Sequence, residues 1–367
     1  MAPNDELLAQ PKHRFRTDPA TSIKDGNGRR LRTVDMHAHT TTPGVEELVA
    51  ACPQKKAEAQ IRLRTMGAAS VEHNNKVMLP QCAGALTDLA VRLADMDRMG
   101  VDVQVVSPMP TQYYYWAERD LAAQIVTLQN EHVAALCAQH PERLVGLGTL
   151  ALQHPGLAVM QLETAVRQLG LRGFELSTAV NERELSHPSL EPVWAKALEL
   201  GCVVFIHPMG CSLGERLALS YLSNIVGQPV ETAVALSHLI FGGVLDRHAG
   251  LKICAAHGGG YLPTYIGRSD HAFQTRPDAH SMAEPPSAYL KRIWFDSLVY
   301  SPQALRRLID QVGAGQVVVG TDYPFDMGHY DIHALVGQTP GLSAAERAAL
   351  LGGTAERLLE VSRRPAS

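Results

Sequence analysis

The chain alternates between short apolar runs, rich in β-branched residues, and longer stretches in which apolar residues recur at helical spacing. The short runs predict eight strands, at 31–36, 103–107, 144–150, 172–176, 202–206, 251–256, 293–298 and 316–320. The longer stretches predict helices at 86–99, 118–138, 156–169, 189–200, 230–246 and 302–312, with a terminal helical pair within 342–361. Nearly continuous apolar strands separated by helices indicate a parallel sheet buried on both faces. Eight such units favour an α/β fold of the closed (β/α)8 TIM barrel type over an open sheet.

Several segments depart from a minimal barrel that covers residues 31–361. Residues 40–85 are too long for an ordinary loop between a strand and a helix. They contain a charged helical piece, QKKAEAQIRLRTM, and then a turn-rich stretch around His73, so we interpret them as a cap inserted after the first strand. A second candidate lid lies at 207–229. Residues 1–30 are polar and aperiodic, which predicts an N-terminal extension, and residues 362–367 form a short tail.

Composition narrows the possible classes of protein. Of 367 residues, 46% are apolar and 19% are charged, which supports a large core and excludes an intrinsically disordered chain. Lys and Arg total 33 against 37 Asp and Glu, so a basic surface for nucleic acid or anionic membrane has no support. No apolar run is long enough to span a membrane, and the N-terminal region has no secretory signal. Six scattered cysteines without a CxxC motif favour reduced thiols and a cytoplasmic location.

Polar residues follow four of the predicted strands. His37 and His39 lie two residues apart and can face the same way, His207 follows the fifth strand, His257 the sixth and Asp322 the eighth. Each alone has an ordinary explanation, such as a loop histidine or a capping aspartate. In a barrel, however, the carboxyl ends of all strands meet at one face, where active sites lie. The joint pattern therefore predicts a site of metal binding or proton transfer.

The same pattern resembles that of the amidohydrolase superfamily. The segments VDMHAH, FIHPMG, LKICAAHGGGYLPTYIGRSDHAF, WFDSLVYSP and VVVGTDYPFDMG are similar to its decarboxylase branch, that of aminocarboxymuconate-semialdehyde, γ-resorcylate and 5-carboxyvanillate decarboxylases. This resemblance implies one divalent metal, zinc with manganese as the alternative, and no organic cofactor. It assigns His257 to proton transfer and implies as metal ligands His37, His39, His207 and Asp322. Binuclear relatives carry a bridging lysine after strand four, and GFEL stands there instead, so a second metal is not expected.

The resemblance also implies a reaction and its substrate contacts. The expected activity is non-oxidative loss of CO2 from an aromatic, N-heteroaromatic or muconate-type acid, such as aminocarboxymuconate semialdehyde, dihydroxybenzoate or dihydroxypicolinate. Arg268 and Arg276 are expected to bind the substrate carboxylate, with Arg268 reaching across a homodimer interface. Apart from the resemblance, Glu175 in GFEL is expected either to orient substrate or a proton or only to support a neighbouring side chain of the site. An arginine that the muconate enzymes carry is missing from the segment Asn74–Met78, which leaves the smaller aromatic acids as competing substrates.

Two questions about chemistry stay open at this stage. Protonation of the substrate carbon could precede loss of CO2, or metal-bound hydroxide could attack first. A hydrolase or hydratase that uses metal-bound water is the alternative function, and a non-catalytic binding barrel is a third. The cluster Tyr113-Tyr114-Tyr115-Trp116 either walls the pocket or packs under the cap.

Overall fold

The computed structural model describes residues 22–361, in which the barrel strands form a closed ring. The strands are β1 (Val34–Thr40), β2 (Val103–Pro108), β3 (Leu144–Gly146), β4 (Gly173–Leu176), β5 (Val203–Ile206), β6 (Lys252–Ala255), β7 (Ile293–Asp296) and β8 (Val317–Val318). Strands β1 to β3 and β4 to β8 form two parallel sheets. Parallel bridges from Gly148 to Phe174 and from Ala38 to Tyr323 join the two sheets at both seams. The predicted (β/α)8 barrel is therefore confirmed.

Helices connect the strands, and one short antiparallel hairpin (Ala179–Val180 with Arg183–Glu184) follows β4. The helices are α1 (Pro43–Val49), α2 (Pro53–Met66), α3 (Ala68–His73), α4 (Leu79–Thr87), α5 (Leu89–Met99), α6 (Arg119–Gln139), α7 (Pro155–Arg167), α8 (Glu191–Leu200), α9 (Gln228–Phe241), α10 (Val244–Arg247), α11 (Leu262–Thr275), α12 (Pro286–Tyr289), α13 (Pro302–Val312), α14 (Ile332–Gln338), α15 (Ala344–Ala348) and α16 (Thr354–Leu359). The helix predicted at 86–99 is divided at Asp88, because its carboxylate caps α5 by accepting from the amide of Ala90.

The first strand lies further along the chain than its apolar residues suggested. It was predicted at 31–36 and is observed at Val34–Thr40. All seven residues of β1 are buried, including both histidines and Thr40. Polar side chains are tolerated in a fully buried strand only where they form hydrogen bonds or ion pairs. The apolar pattern therefore missed the part of β1 that carries the polar site.

The segment between β1 and β2 is almost entirely helical. Helices α1 to α5 occupy it, the first four of them within the inserted segment, and a π-helical turn (Asn74–Met78) connects α3 to α4. The prediction of a turn-rich stretch at His73 was wrong, because the surrounding helices hold these residues in helical conformation despite the weak helix propensity of asparagine. Lys55 of α2 contacts Glu46 of α1 and the phenol of Tyr114 beyond β2, so this segment is tied to the barrel rim.

The interior of the barrel is filled by apolar side chains below the polar site. Met36, Val105, Phe205 and Cys254 are part of one buried cluster with Leu358 of α16, so the terminal helices close the end opposite the site. All six cysteines lie within residues 22–361, and none of them forms a disulfide. No helix in this part of the chain is both long and apolar enough to cross a membrane. Residues 1–21 of the predicted extension and the tail at 362–367 lie outside the described residues.

Candidate metal centre

The carboxyl ends of β1, β5, β6 and β8 bring their polar side chains to one point. His37, His207, His257 and Asp322 each offer a nitrogen or oxygen atom, and these atoms lie within 4.8 Å of one another. His39 adjoins this group, because its Nε2 is 3.1 Å from Nε2 of His37 and 3.2 Å from Oδ1 of Asp322. The five side chains that the sequence places at four strand ends therefore converge at the barrel mouth.

Two of these five residues have a strained backbone. His257 has φ of 54° and Asp322 has φ of 58°, in the left-handed region that non-glycine residues rarely adopt. Each costs on the order of 1 kcal/mol or more, so the surrounding structure must hold it in place. The amide of Asp322 donates to the carbonyl of His37 at 2.9 Å. Gly320 permits this close approach, because a Cβ there would lie 2.9 Å from Cβ of His37.

Carboxylates make the cluster a place that attracts positive charge. Burial opposes protonation of His37, but Asp322 and Asp296 outweigh it and raise the pKa of its imidazole to about 10. Burial also opposes ionisation of Asp322, yet the imidazoles around it, His37 first, hold the pKa of its carboxyl well below the usual range. For His207, burial and the neighbouring imidazoles lower the pKa well below its ordinary value. A neutral imidazole with a free lone pair is the form that binds metal.

Several atoms of the cluster are buried without a hydrogen-bond partner among residues 22–361. They are both ring nitrogens of His207, Nδ1 of His257 and Oδ1 of Asp322, whose contacts with His37 and His39 are ion-pair contacts rather than hydrogen bonds. Buried polar atoms nearly always have a hydrogen-bond partner. Four such atoms without one at a single point indicate that they bind a further group there. Imidazole nitrogens together with a carboxylate oxygen are a ligand set that suits Zn²⁺ and Mn²⁺. The residues present therefore fit a divalent metal ion.

Comparison with known proteins identifies the family. The sequence profile described as amidohydrolase matches residues 34–361. The chain belongs to the amidohydrolase family. It is 37% identical to 2-amino-3-carboxymuconate-6-semialdehyde decarboxylase from Dictyostelium discoideum, over 74% of this chain and 76% of the relative. It is 28% identical to γ-resorcylate decarboxylase from Rhodococcus jostii, over 64% of this chain and 77% of that relative. The crystal structure of 5-carboxyvanillate decarboxylase from Sphingomonas paucimobilis superposes with a TM-score of 0.79 at 26% identity, covering 90% of this chain and 100% of that one.

In this amidohydrolase, acidic side chains stand behind both histidines of β1. Nδ1 of His37 donates to Oδ2 of Asp296 at 2.7 Å. Nδ1 of His39 lies 3.4 Å from Oγ of Ser107, which itself donates to Glu175 at 2.5 Å. Both Nε2 atoms therefore face the cluster. Sequence reasoning missed Asp296, although it ends β7 as Asp322 follows β8, and this position was the available signal.

Glu175 of the amidohydrolase is completely buried beside the cluster. Its two carboxylate oxygens accept from Ser107 and, at 2.6 Å, from the phenol of Tyr113. Oε2 also lies 3.6 Å from Nδ1 of His39. Burial raises the pKa of Glu175 against the opposing influence of His39 and these hydrogen bonds. The contacts join Glu175 to His39, and its predicted role in orienting substrate stays a prediction.

The two predicted substrate arginines lie on or beside α11, outside the cluster. Arg268 is exposed and makes no hydrogen bond or ion pair within the described part of the chain. Arg276 is exposed as well and pairs with Asp278, two residues away, at 3.0 Å. Lys76, near the missing arginine, pairs with Glu72 on the surface. The structure thus brings together the predicted metal and proton-transfer residues, and it does not bring either arginine to them.

The aromatic cluster after β2 serves two purposes that the sequence could not separate. All four residues contribute to the lining of a cavity of about 490 Å³, together with residues such as Arg62 and Met209. The rings of Tyr113 and Tyr115 stack at 5.6 Å. Tyr114 instead turns toward α1, where its phenol donates to Glu46. The cluster therefore both walls a cavity and anchors the helical segment that follows β1.

Proposed function

We propose that this amidohydrolase is a metal-dependent, non-oxidative decarboxylase that releases CO2 from an aromatic, N-heteroaromatic or muconate-type carboxylic acid. The observation that carries the proposal is the convergence of four histidines and Asp322, with unpartnered buried atoms, at the mouth of the barrel. The decarboxylase activities named for its relatives support this type of reaction. The proposal includes a cytoplasmic location, which the cysteine pattern favours, and a homodimer, which the family resemblance implies.

His37, His39, His207 and Asp322 are the residues that would hold one divalent metal ion. When bound, the ion would act as a Lewis acid toward an oxygen atom of the substrate. His39 is a better candidate ligand than His257 for two reasons. Its side chain is fully buried, and its Nδ1 faces Ser107 and Glu175, which leaves Nε2 for the ion. Zinc is our first choice of metal from the ligand set, and manganese is the second.

His257 is the group that we assign to proton transfer. Its side chain is 14% exposed, the most open of the three histidines that form ion-pair contacts with Asp322, and Nε2 lies 3.7 Å from Oδ2 of that residue. An imidazole at this position can give a proton to the substrate carbon and recover one from solvent. The carbon–carboxylate bond breaks, its electron pair stays on carbon, and the new C–H bond takes the proton. The products are CO2 and the decarboxylated compound.

A screen for CO2 release tests the proposal directly. Purified protein is expected to contain about one tightly bound divalent metal ion per chain. It is expected to release CO2 from a member of a panel of hydroxybenzoic, hydroxypicolinic and aminomuconic acids, measured together with the organic product. A metal-free protein that releases no CO2 contradicts the proposal. Incorporation of oxygen from water without CO2 indicates the hydrolase or hydratase instead.

The substrate carboxylate needs a cation, and we propose that Arg268 provides it across a homodimer. Its guanidinium is exposed and unpaired within the described residues, which leaves its donors available to a carboxylate. Large apolar side chains are exposed around the start of the same helix, including Tyr261, Tyr265 and Ile225. Exposed apolar surface of this kind supports contact with a second copy of the chain.

Replacement of Arg268 by methionine is expected to raise KM about 10- to 100-fold, because a charge-assisted hydrogen bond to the substrate is lost. Steady-state kinetics measures the effect, and sedimentation is expected to show a dimer for both proteins. Arg307→Met removes another exposed arginine, on α13, and is expected to leave KM unchanged. Arg276→Met tests the second predicted contact in the same assay. A monomeric wild-type enzyme, or an unchanged KM for Arg268→Met, contradicts this assignment.

A further inference from the structure

Asp296 lies at the end of β7, and its side chain is completely buried behind the metal centre. Oδ2 accepts a hydrogen bond from Nδ1 of His37 at 2.7 Å. Oδ1 accepts from two backbone amides, that of Gly258 at 2.8 Å and that of Leu298 at 3.1 Å. Each oxygen of the carboxylate thus has its own partners: Oδ1 accepts from two backbone donors, and Oδ2 faces the His37 ring.

The two backbone amides fix the orientation of the carboxylate. An amide N–H can only donate, so the oxygen that faces the two amides must be an acceptor. Rotation of the Asp296 carboxylate would only exchange its two oxygens, so this requirement stays the same. The side chain cannot move away, because it is enclosed by β7, by the loop after β6 and by Gly320, where a Cβ would lie 2.8 Å from Cβ of Asp296. The oxygen that faces His37 is therefore held in place from the opposite side.

This arrangement determines which nitrogen of His37 carries the proton. An ionised carboxylate can only accept hydrogen bonds, so beside Asp296 the protonated nitrogen of the neutral His37 ring is Nδ1. Nε2 then keeps its lone pair, and it is Nε2 that lies 3.1 Å from His39 and 3.4 Å from Asp322. A histidine can bind a metal ion only through a nitrogen without a proton.

We propose that Asp296 is a positioning residue that holds His37 in the tautomer required for metal binding through Nε2. The inference rests on the metal site of the proposed function. It adds Asp296 to the residues that support this site, as one that contacts neither the ion nor the substrate. Partners that orient a metal-binding histidine in this way commonly change metal affinity or activity 10- to 100-fold when they are replaced.

Asp296→Asn is the informative variant, because it keeps the size of the side chain. The amide oxygen of asparagine is expected to stay with the amides of Gly258 and Leu298, which need an acceptor. Its NH2 group then faces His37 and donates to Nδ1, so the proton of the neutral ring moves to Nε2. The variant thus retains the contacts of the loop and loses one metal ligand. Asp310→Asn, at an exposed position of α13, is the matched control.

The test uses cobalt(II) as the probe in the full-length protein. Asp296→Asn is expected to release cobalt to a chelator 10- to 100-fold faster than wild type and to show an altered visible absorption spectrum. The Asp310→Asn control is expected to match wild type in both. An unchanged release rate and spectrum, even with lower thermal stability, means that Asp296 is only structural and overturns the proposal. A wild-type protein that binds no cobalt refutes the metal site itself, and with it this inference.

A second measurement does not depend on the folding of the variant. In zinc-loaded wild-type protein labelled with ¹⁵N-histidine, the Nδ1 signal of His37 is expected to be that of a protonated nitrogen. A signal showing the proton on Nε2 overturns the proposal. Neither experiment uses turnover, so failure to find a substrate for the enzyme leaves both results interpretable.

Discussion

Replacement of His257 by asparagine is expected to lower kcat roughly 100- to 10,000-fold, which is the usual contribution of a general acid or base. Asparagine keeps a polar side chain of similar reach but cannot exchange a proton near neutral pH. The metal content of the variant is expected to equal that of wild type, because the proposed ligands are His37, His39, His207 and Asp322. Steady-state kinetics and metal analysis of the same preparation measure the two quantities.

The two readouts separate the possible roles of His257. The close approach of five side chains means that His257 could itself be a ligand in place of His39. In that case the variant would lose metal, and the loss of activity would follow from it. A variant with full metal content and full activity would exclude both roles. His271→Asn, at an exposed position on α11, controls for removal of a histidine elsewhere and is expected to behave as wild type.

The convergence of the metal centre could be predicted because it depends on topology. Eight apolar runs specify a parallel barrel, and a barrel brings the carboxyl ends of its strands to one face whatever the loops do. A histidine or aspartate that directly follows such a run must therefore lie near the others. His37, His207 and Asp322 are far apart in sequence and were placed together by this constraint alone.

The contacts behind the site could not be predicted in the same way. Asp296 was passed over because it falls inside the strand predicted at 293–298, whereas in the structure β7 ends at this residue. Its role becomes visible only when the distance to His37 is known. Sequence pattern determines which residues are brought to the mouth, and packing determines what each of them touches.

Arg92 of α5 is a further residue whose importance only the structure reveals. Arg92 is 1% exposed, and its guanidinium contacts the backbone of the candidate ligand His39. It donates to the carbonyl of His39 at 2.5 Å, to the carbonyl of Ala85 at 3.1 Å and to the side chain of Gln104 at 2.7 Å. It also lies 5.0 Å from the centre of the Tyr323 ring. Burial lowers the pKa of Arg92, against the opposing influence of Tyr323 and of Asp35.

These contacts connect β1, β2 and the last helix of the inserted segment through one buried charge. Gln104 carries the network onward by donating to Asp35 at 2.9 Å, and Asp35 accepts from the hydroxyl of Thr321 at 2.6 Å. The carboxylates of Asp35, Glu175, Asp296 and Asp322 are all buried in this region. Among them Asp35 interacts electrostatically with Arg92, so this buried cation offsets part of the cost of burying that carboxylate and favours the folded state.

Arg92→Met is therefore expected to lower the free energy of unfolding by roughly 3–5 kcal/mol, the usual cost of removing one partner from a buried charged network. Methionine fills much of the volume but leaves the acceptors on His39, Ala85 and Gln104 without a donor. Urea titration of metal-loaded protein measures the change. Arg307→Met, at an exposed position of α13, is expected to change stability by less than about 0.5 kcal/mol. If the two variants unfolded at the same urea concentration, Arg92 would not have the stabilising role that its contacts indicate.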